Sequence, residues 1–207
     1  MNKPEVAILD YGVGNLMSVT KGLSISGAKP KITANVKEAL SMDAIVLPGV
    51  GAYFPAMKHL TPHIEDFKTI AEKGKVIFGI CLGLQLFFSE SCEGGTVKGL
   101  GLVEGKVMKL PMGVKIPQIG WNNIRIIQSS HPILDGIKDG EYFYFAHSYY
   151  GAPNCPGLIL ASTDYGTTFP SIIVKDNVIG TQFHPEKSGC AGLRLLRNLV
   201  DLIRSRG

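Results

Sequence analysis

The sequence predicts an α/β fold: a central mixed, mostly parallel sheet with helices on both faces. Three observations carry this expectation. Buried-type apolar runs alternate with helical periodicity through the first half of the chain. Strand-like runs joined by short turns follow in the second half, and an amphipathic helix closes the sequence. No repeat, low-complexity stretch or linker interrupts the 207 residues, so the chain is read as one domain spanning 1–207.

The elements follow in order. Glu5 to Asp10 is an apolar strand ending in the glycine-rich turn Asp10-Tyr11-Gly12-Val13-Gly14, and Asn15 is placed to cap a helix reaching about Ser26. Lys31 to Thr33 reads as a short strand, Val36 to Leu40 as a short helix, and Ala44 to Leu47 as a buried strand ending in Pro48-Gly49-Val50-Gly51. Ile64 to Lys73 has helical periodicity and stops at Gly74. Lys75 to Ile80 is a strand that runs into Cys81, and Leu84 to Phe88 reads as helical. In the second half, strands are expected at Val103–Leu110, Ile124–Gln128, Tyr142–Tyr149, Leu158–Ser162, Ser171–Lys175 and Val178–Phe183. Asp176-Asn177 joins the last two as a tight hairpin. Gly192 to Ser205 carries Leu193, Leu196, Leu199, Val200 and Ile203 on one face.

Composition narrows the function classes. A net charge of +4, with basic residues scattered, gives no nucleic-acid or membrane footprint. Cys81, Cys92, Cys155 and Cys190 show neither CxxC pairing nor His/Cys ligand spacing, which argues against a zinc site or a disulfide framework and for a reducing cytoplasm. The chain starts without a signal-peptide pattern and has no run of the ~20 apolar residues that span a bilayer.

The chemistry concentrates at Gly79-Ile80-Cys81-Leu82-Gly83-Leu84-Gln85. Strand, sharp turn and helix, with a thiol at the turn and glycine two residues to either side, make the pattern of a nucleophile elbow. The helix N-terminus favours the thiolate there. On these residues alone Cys81 is either a nucleophile or a buried structural thiol. A thiolate needs a base, and His184 is the candidate, because it ends an apolar strand where Pro185 stops ladder pairing. Glu186 is either a carboxylate orienting that ring or a solvated turn residue. His59, His63 and His131 read as surface or capping residues, and His147 as a hydrogen-bonded structural histidine. Gly49 and Gly51 read as an ordinary turn or as one aiming N–H groups at an oxyanion. Gln85 lies one helical turn after Cys81, on the same face.

Taken together, these segments resemble the class I (triad-type) glutamine amidotransferases, and within them the family of glutaminase subunits of imidazole glycerol phosphate synthase. The resemblance spans essentially the whole chain. Besides the segments already named, it rests on Pro117-Gln118-Ile119-Gly120-Trp121-Asn122, His147-Ser148-Tyr149 and Gly180 through Gly189. It implies a flavodoxin-like amidotransferase fold with Cys81 as nucleophile, His184 as acid/base and Glu186 as orienting carboxylate. It also implies an oxyanion strand at Gly49, Val50 and Gly51, joined by the Leu82 N–H. Gln85, Glu93, His147, Ser148 and Tyr149 would line or hold glutamine, with Glu93 suited to the α-ammonium group. Asn15, Trp121 and Asn122 would face a partner, a (βα)8-barrel cyclase that uses the ammonia in histidine biosynthesis. No cofactor or metal is implied. Two positions depart from the pattern: Gln118 stands where many relatives carry histidine, and Tyr53 where phenylalanine is common. Two other readings stay open: the same glutaminase chemistry serving a paralogous amidotransferase, as in surface-sugar synthesis, and a cysteine hydrolase of the flavodoxin-like superfamily.

Overall fold

The structure is a computed structural model that describes residues 3–12 and 14–206; Val13 of the glycine-rich turn and the Met1-Asn2 start lie outside the described residues. The first half alternates as the periodicity requires: β1 (Glu5–Leu9), α1 (Leu16–Ile25), β2 (Lys29–Thr33), α2 (Val36–Ser41), β3 (Ala44–Leu47), α3 (Tyr53–Leu60), α4 (Ile64–Glu72) and β4 (Val76–Ile80). After β4 the chain makes a single helical turn, α5 (Leu82–Gln85), and enters β5 (Phe88–Ser91) and β6 (Val97–Lys98). The expected helix at Leu84–Phe88 is therefore corrected. Phe88 is fully buried and pairs with Val103, so strand pairing wins over helical propensity there. The second half adds β7 (Val103–Lys109), β8 (Gln118–Asn123), β9 (Arg125–Ile126), β10 (Tyr142–His147), β11 (Tyr149–Pro153), β12 (Ile159–Asp164), β13 (Thr168–Lys175) and β14 (Val178–Thr181), and ends in α6 (Gly189–Arg206).

The main sheet runs β2-β1-β3-β4-β14-β13-β12-β9. Its first five strands are parallel and the remainder antiparallel. Side chains alternate across it with period two. Val6, Ile8, Val46, Phe78 and Ile80 face a core closed by α1 and α6, while Ala7, Leu9, Ile45, Leu47 and Ile77 face one closed by α2, α3 and α4. In α6 the buried stripe includes Leu195 together with Leu196, Leu199, Val200 and Ile203, whereas the expected Leu193 lies only half-buried. The hairpin between β13 and β14 turns at Asp176, whose φ of 55° is left-handed.

Two expected strands do not join this sheet. Val103–Lys109 sits in a separate four-stranded sheet, β11-β7-β5-β6, and β10 pairs only with β8. The run Tyr142–Tyr149 breaks at Ser148, whose carbonyl accepts the Leu110 N–H, so the chain changes partner from β8 to β7. The geometry that matters for function is simpler. The parallel strands β1, β3, β4 and β14 deliver the Asp10–Asn15 loop, the Pro48–Gly51 turn, Cys81 and His184 to one carboxyl edge, where open α/β sheets gather ligands.

Candidate active site

Cys81 occupies a strained elbow with φ 50° and ψ −102°. A non-glycine residue holds such a backbone only where its surroundings impose it. Here they do: the Cys81 N–H donates to Thr181 O at 2.7 Å, continuing the register in which Ile80 pairs with Thr181. Glycine permits the approach around it. A β-carbon on Gly83 would lie 1.9 Å from Leu47 O, and one on Gly79 2.5 Å from the Leu84 nitrogen.

His184 reaches the same point from the neighbouring strand. Its N–H donates to Tyr144 O at 2.9 Å, and Ser188 Oγ donates to its carbonyl at 2.6 Å. The imidazole Nδ1 donates to Glu186 Oε1 at 2.9 Å, and both side chains are buried. Burial pulls the ring pKa down, but the charge of and hydrogen bonding to Cys81, followed by the bond and charge of Glu186, lift it to about 10. His184 Nε2 has no partner with full hydrogen-bond geometry, so the sulfur acts on the ring chiefly through its charge. Asn15 takes the N-cap position of α1 with φ 74° but makes no side-chain cap bond; its amide donates instead to Glu186 Oε1. The expected cap is thus corrected: Asn15 serves the carboxylate.

The Pro48–Gly51 turn lies directly on the elbow. A β-carbon on Gly49 would sit 1.8 Å from Ile80 O and 2.8 Å from the Leu82 nitrogen, so only glycine fits. Two bonds from the loop after β1 hold the turn: Gly14 N–H to Val50 O at 3.0 Å, and the Tyr11 hydroxyl to Pro48 O. Burial and then the Cys81 charge push the Tyr11 phenol well above its ordinary pKa, which keeps it a donor.

On the other side, Gln85 Nε2 donates to Tyr149 O at 2.7 Å and His147 Nδ1 lies 2.8 Å from the same carbonyl. Burial, opposed by that bond and aided by the His184 charge, lowers His147 to about 4, so the ring is neutral at pH 7. Its Nδ1–H donates to Tyr149 O, leaving Nε2 as an acceptor. Gln118 Oε1 lies 3.0 Å from Nε2, and because an amide oxygen can only accept, the neutral ring is served when that side-chain amide is turned to present its NH2 group instead. Glu93 accepts the Tyr53 N–H at 3.3 Å and is close enough to Tyr149 to help raise its phenol, after burial. Ser148 sits between β10 and β11 with its carbonyl committed to Leu110.

Cys81, Leu82, Gly49, Gln85, His147, Tyr149, His184 and Glu186 thus meet in one region. Trp121 stands apart, 57% exposed, with its edge against Tyr144 at 6.2 Å. Asn122 ties back to Asp164 O at 3.1 Å. The residues that sequence reasoning passed over are Tyr11 and Gln182. Gln182 was the detectable one: a fully buried amide in an otherwise apolar approach to His184. Among the described residues there is no cluster of His, Cys, Asp and Glu able to hold a metal ion, and no helix long and apolar enough to cross a membrane.

Fold and site define a class-I glutamine amidotransferase domain, and the family profile "Glutamine amidotransferase class-I" matches residues 7–202. Solved structures agree at the level of fold: a "glutamine amidotransferase" superposes with a TM-score of 0.75 at 19% identity, covering 96% of this chain and 98% of that one. PurLQS from Thermotoga maritima gives a TM-score of 0.73 at 19% identity, covering 97% of this chain and 99% of that one. Curated relatives are much nearer in sequence. "Imidazole glycerol phosphate synthase subunit HisH" of Methanosarcina mazei is 50% identical over 95% of this chain and 98% of its own length, and that of Methanocaldococcus jannaschii is 44% identical over 96% and 100%. The chain belongs to this HisH family of class-I glutamine amidotransferases.

Proposed function

We propose that the chain hydrolyses glutamine through a Cys81–His184–Glu186 triad and hands the ammonia to a (βα)8-barrel cyclase subunit of imidazole glycerol phosphate synthase. The observation that carries the reading is the convergence, at one sheet edge, of a thiol on a strained elbow and an imidazole backed by a buried carboxylate. The Cys81 sulfur attacks the side-chain amide carbon of glutamine, forming a C–S bond while the carbonyl electron pair moves to oxygen. The Leu82 N–H and N–H groups of the Gly49–Gly51 turn receive that oxyanion, each such donor contributing about 3 kcal/mol. The protonated His184 gives its proton to the departing nitrogen, which leaves as ammonia. The neutral ring then activates water to hydrolyse the glutamyl thioester and return the thiol. Gln85, Glu93, His147, Ser148 and Tyr149 form the glutamine pocket, with Glu93 meeting the α-ammonium group.

Ammonia released into water near neutral pH protonates and stops being a nucleophile, so a sheltered transfer to the partner is part of the function. Asn15, Trp121 and Asn122 belong to the face turned toward that subunit; Met17, Phe54, Ile119 and Trp121 are exposed apolar side chains, which supports a docking role. Glutaminase turnover, assayed with and without the cyclase and its nucleotide, is expected to be low alone and to rise in the complex. Cys81→Ser is expected to abolish it in both. Equal turnover in the two states, or an active Cys81→Ser, would overturn the reading.

A further inference from the structure

The helix after Cys81 is a single turn, Leu82–Gln85, too short to supply a full macrodipole. Stabilisation of charge on the sulfur must therefore come largely from other groups. Two polar atoms stand against Sγ: Ala146 O at 3.7 Å and Gln182 Nε2 at 3.5 Å. The carbonyl is an acceptor and serves only the neutral thiol. The amide nitrogen is a donor and serves the anion.

The direction of the Gln182 amide is fixed by a neighbour whose own direction is unambiguous. Gln85 Nε2 faces Tyr149 O at 2.7 Å, and a backbone carbonyl can only accept. Its second N–H is aimed at Gln182 Oε1, 3.3 Å away. With that oxygen held, Gln182 turns Nε2 to the sulfur. Reversing its amide would set nitrogen against nitrogen at one end and oxygen against the sulfur at the other. Gln182 is 0% exposed, Gln85 4% and Cys81 4%, so no solvent competes for these bonds.

Resting on the reading of Cys81 as nucleophile, we propose that Gln182 is a further catalytic residue, whose side-chain N–H donates to the Cys81 thiolate and is held in the donating orientation by Gln85. The donor keeps its proton throughout. As the C–S bond forms and charge leaves the sulfur, this hydrogen bond weakens while those at the oxyanion strengthen.

The test is alkylation of the intact chain by iodoacetamide across pH, read on the Cys81 peptide by mass spectrometry. The exposed Cys92, Cys155 and Cys190 are internal references. The titratable groups facing the sulfur are His184 after β14 and Tyr11 after β1; Glu186 and His147 act on it through His184. All are retained in the variants. Gln182→Met is expected to move the midpoint of the Cys81 rate profile up by about one pH unit, a tenfold change for the loss of one bond to a charged group. Gln182→Leu, which likewise removes the donor and suits the fully buried site, is expected to move it equally, and serves if Gln182→Met does not fold. The reference cysteines should not move. Loosened packing would instead raise the Cys81 rate at every pH. A folded variant with the wild-type midpoint overturns the proposal. Failure of a glutamine-analogue chloroketone to label wild-type Cys81 in the complex with the cyclase and its nucleotide defeats the nucleophile reading instead, and leaves the midpoint comparison intact.

Discussion

Residue 83 illustrates how little room the elbow leaves. Its missing β-carbon is what lets the α5 backbone lie on the Leu47 carbonyl. Gly83→Ala is therefore expected to cost about 3 kcal/mol in urea unfolding, through backbone that cannot yield. Gly113→Ala, at φ 99° with open space around it, is expected to cost only about 1 kcal/mol from strain alone. His147 makes a second prediction at this scale. Its folded pKa of about 4 lies below the ordinary 6.5, so the fold favours the neutral ring. The unfolded chain binds the proton more readily, so this contribution is present above pH 6.5 and is lost as the pH falls toward 4. Unfolding at pH 6.5, 5 and 4 should show His147→Phe losing less stability than wild type over that interval, by up to about 3 kcal/mol. Equal losses in the two proteins would contradict the assignment.

At the scale of elements, the Pro48–Gly51 turn is held from the loop after β1 by Gly14 and by the Tyr11 hydroxyl. If low activity in isolation reflects a turn that must reorient, removing one of these bonds should make reorientation easier. Tyr11→Phe is expected to raise glutaminase turnover of the lone chain about fivefold, the worth of one buried neutral hydrogen bond, with little change in the complex. Unchanged basal turnover would show that the phenol does not restrain the turn. The sequence made the parallel half of the fold legible, because β1, β3, β4 and β14 are short apolar runs punctuated by glycine or proline. It also placed Cys81 and His184 at the same edge, since each follows such a run. It did not reveal which sheet the later strands join. Val103–Lys109 and Tyr142–His147 alternate like any half-buried strand, and their partners are decided by tertiary contacts such as Leu110 N–H to Ser148 O. The one-turn α5 was hidden for a related reason: Leu84 through Phe88 is apolar but for Gln85, and a short apolar run does not distinguish helix from strand. Local chemistry makes Asn15 a cap, whereas its amide goes to Glu186, 171 positions away.

For the molecule as a whole, the central sheet carries Cys81 and His184, the proposed nucleophile and base, at the ends of strands that lie side by side. Ile77 through Ile80 pair with Val178 through Thr181, and the Cys81 amide adds the next rung. These strands occupy the middle of the eight-stranded order, with cores on both faces. Spreading sulfur and imidazole apart therefore means tearing the innermost seam of the protein, which no local fraying can do. Thermal inactivation is expected to coincide with global melting rather than precede it, and the Cys81 amide to exchange with solvent deuterium only through complete unfolding. Inactivation several degrees below the melting temperature would show the seam to be weaker than its position suggests. Durability of the Cys81–His184 pairing is thus inherited from the fold's deepest hydrogen-bonded ladder, while adjustability is left to the glycine-bearing turn beside it.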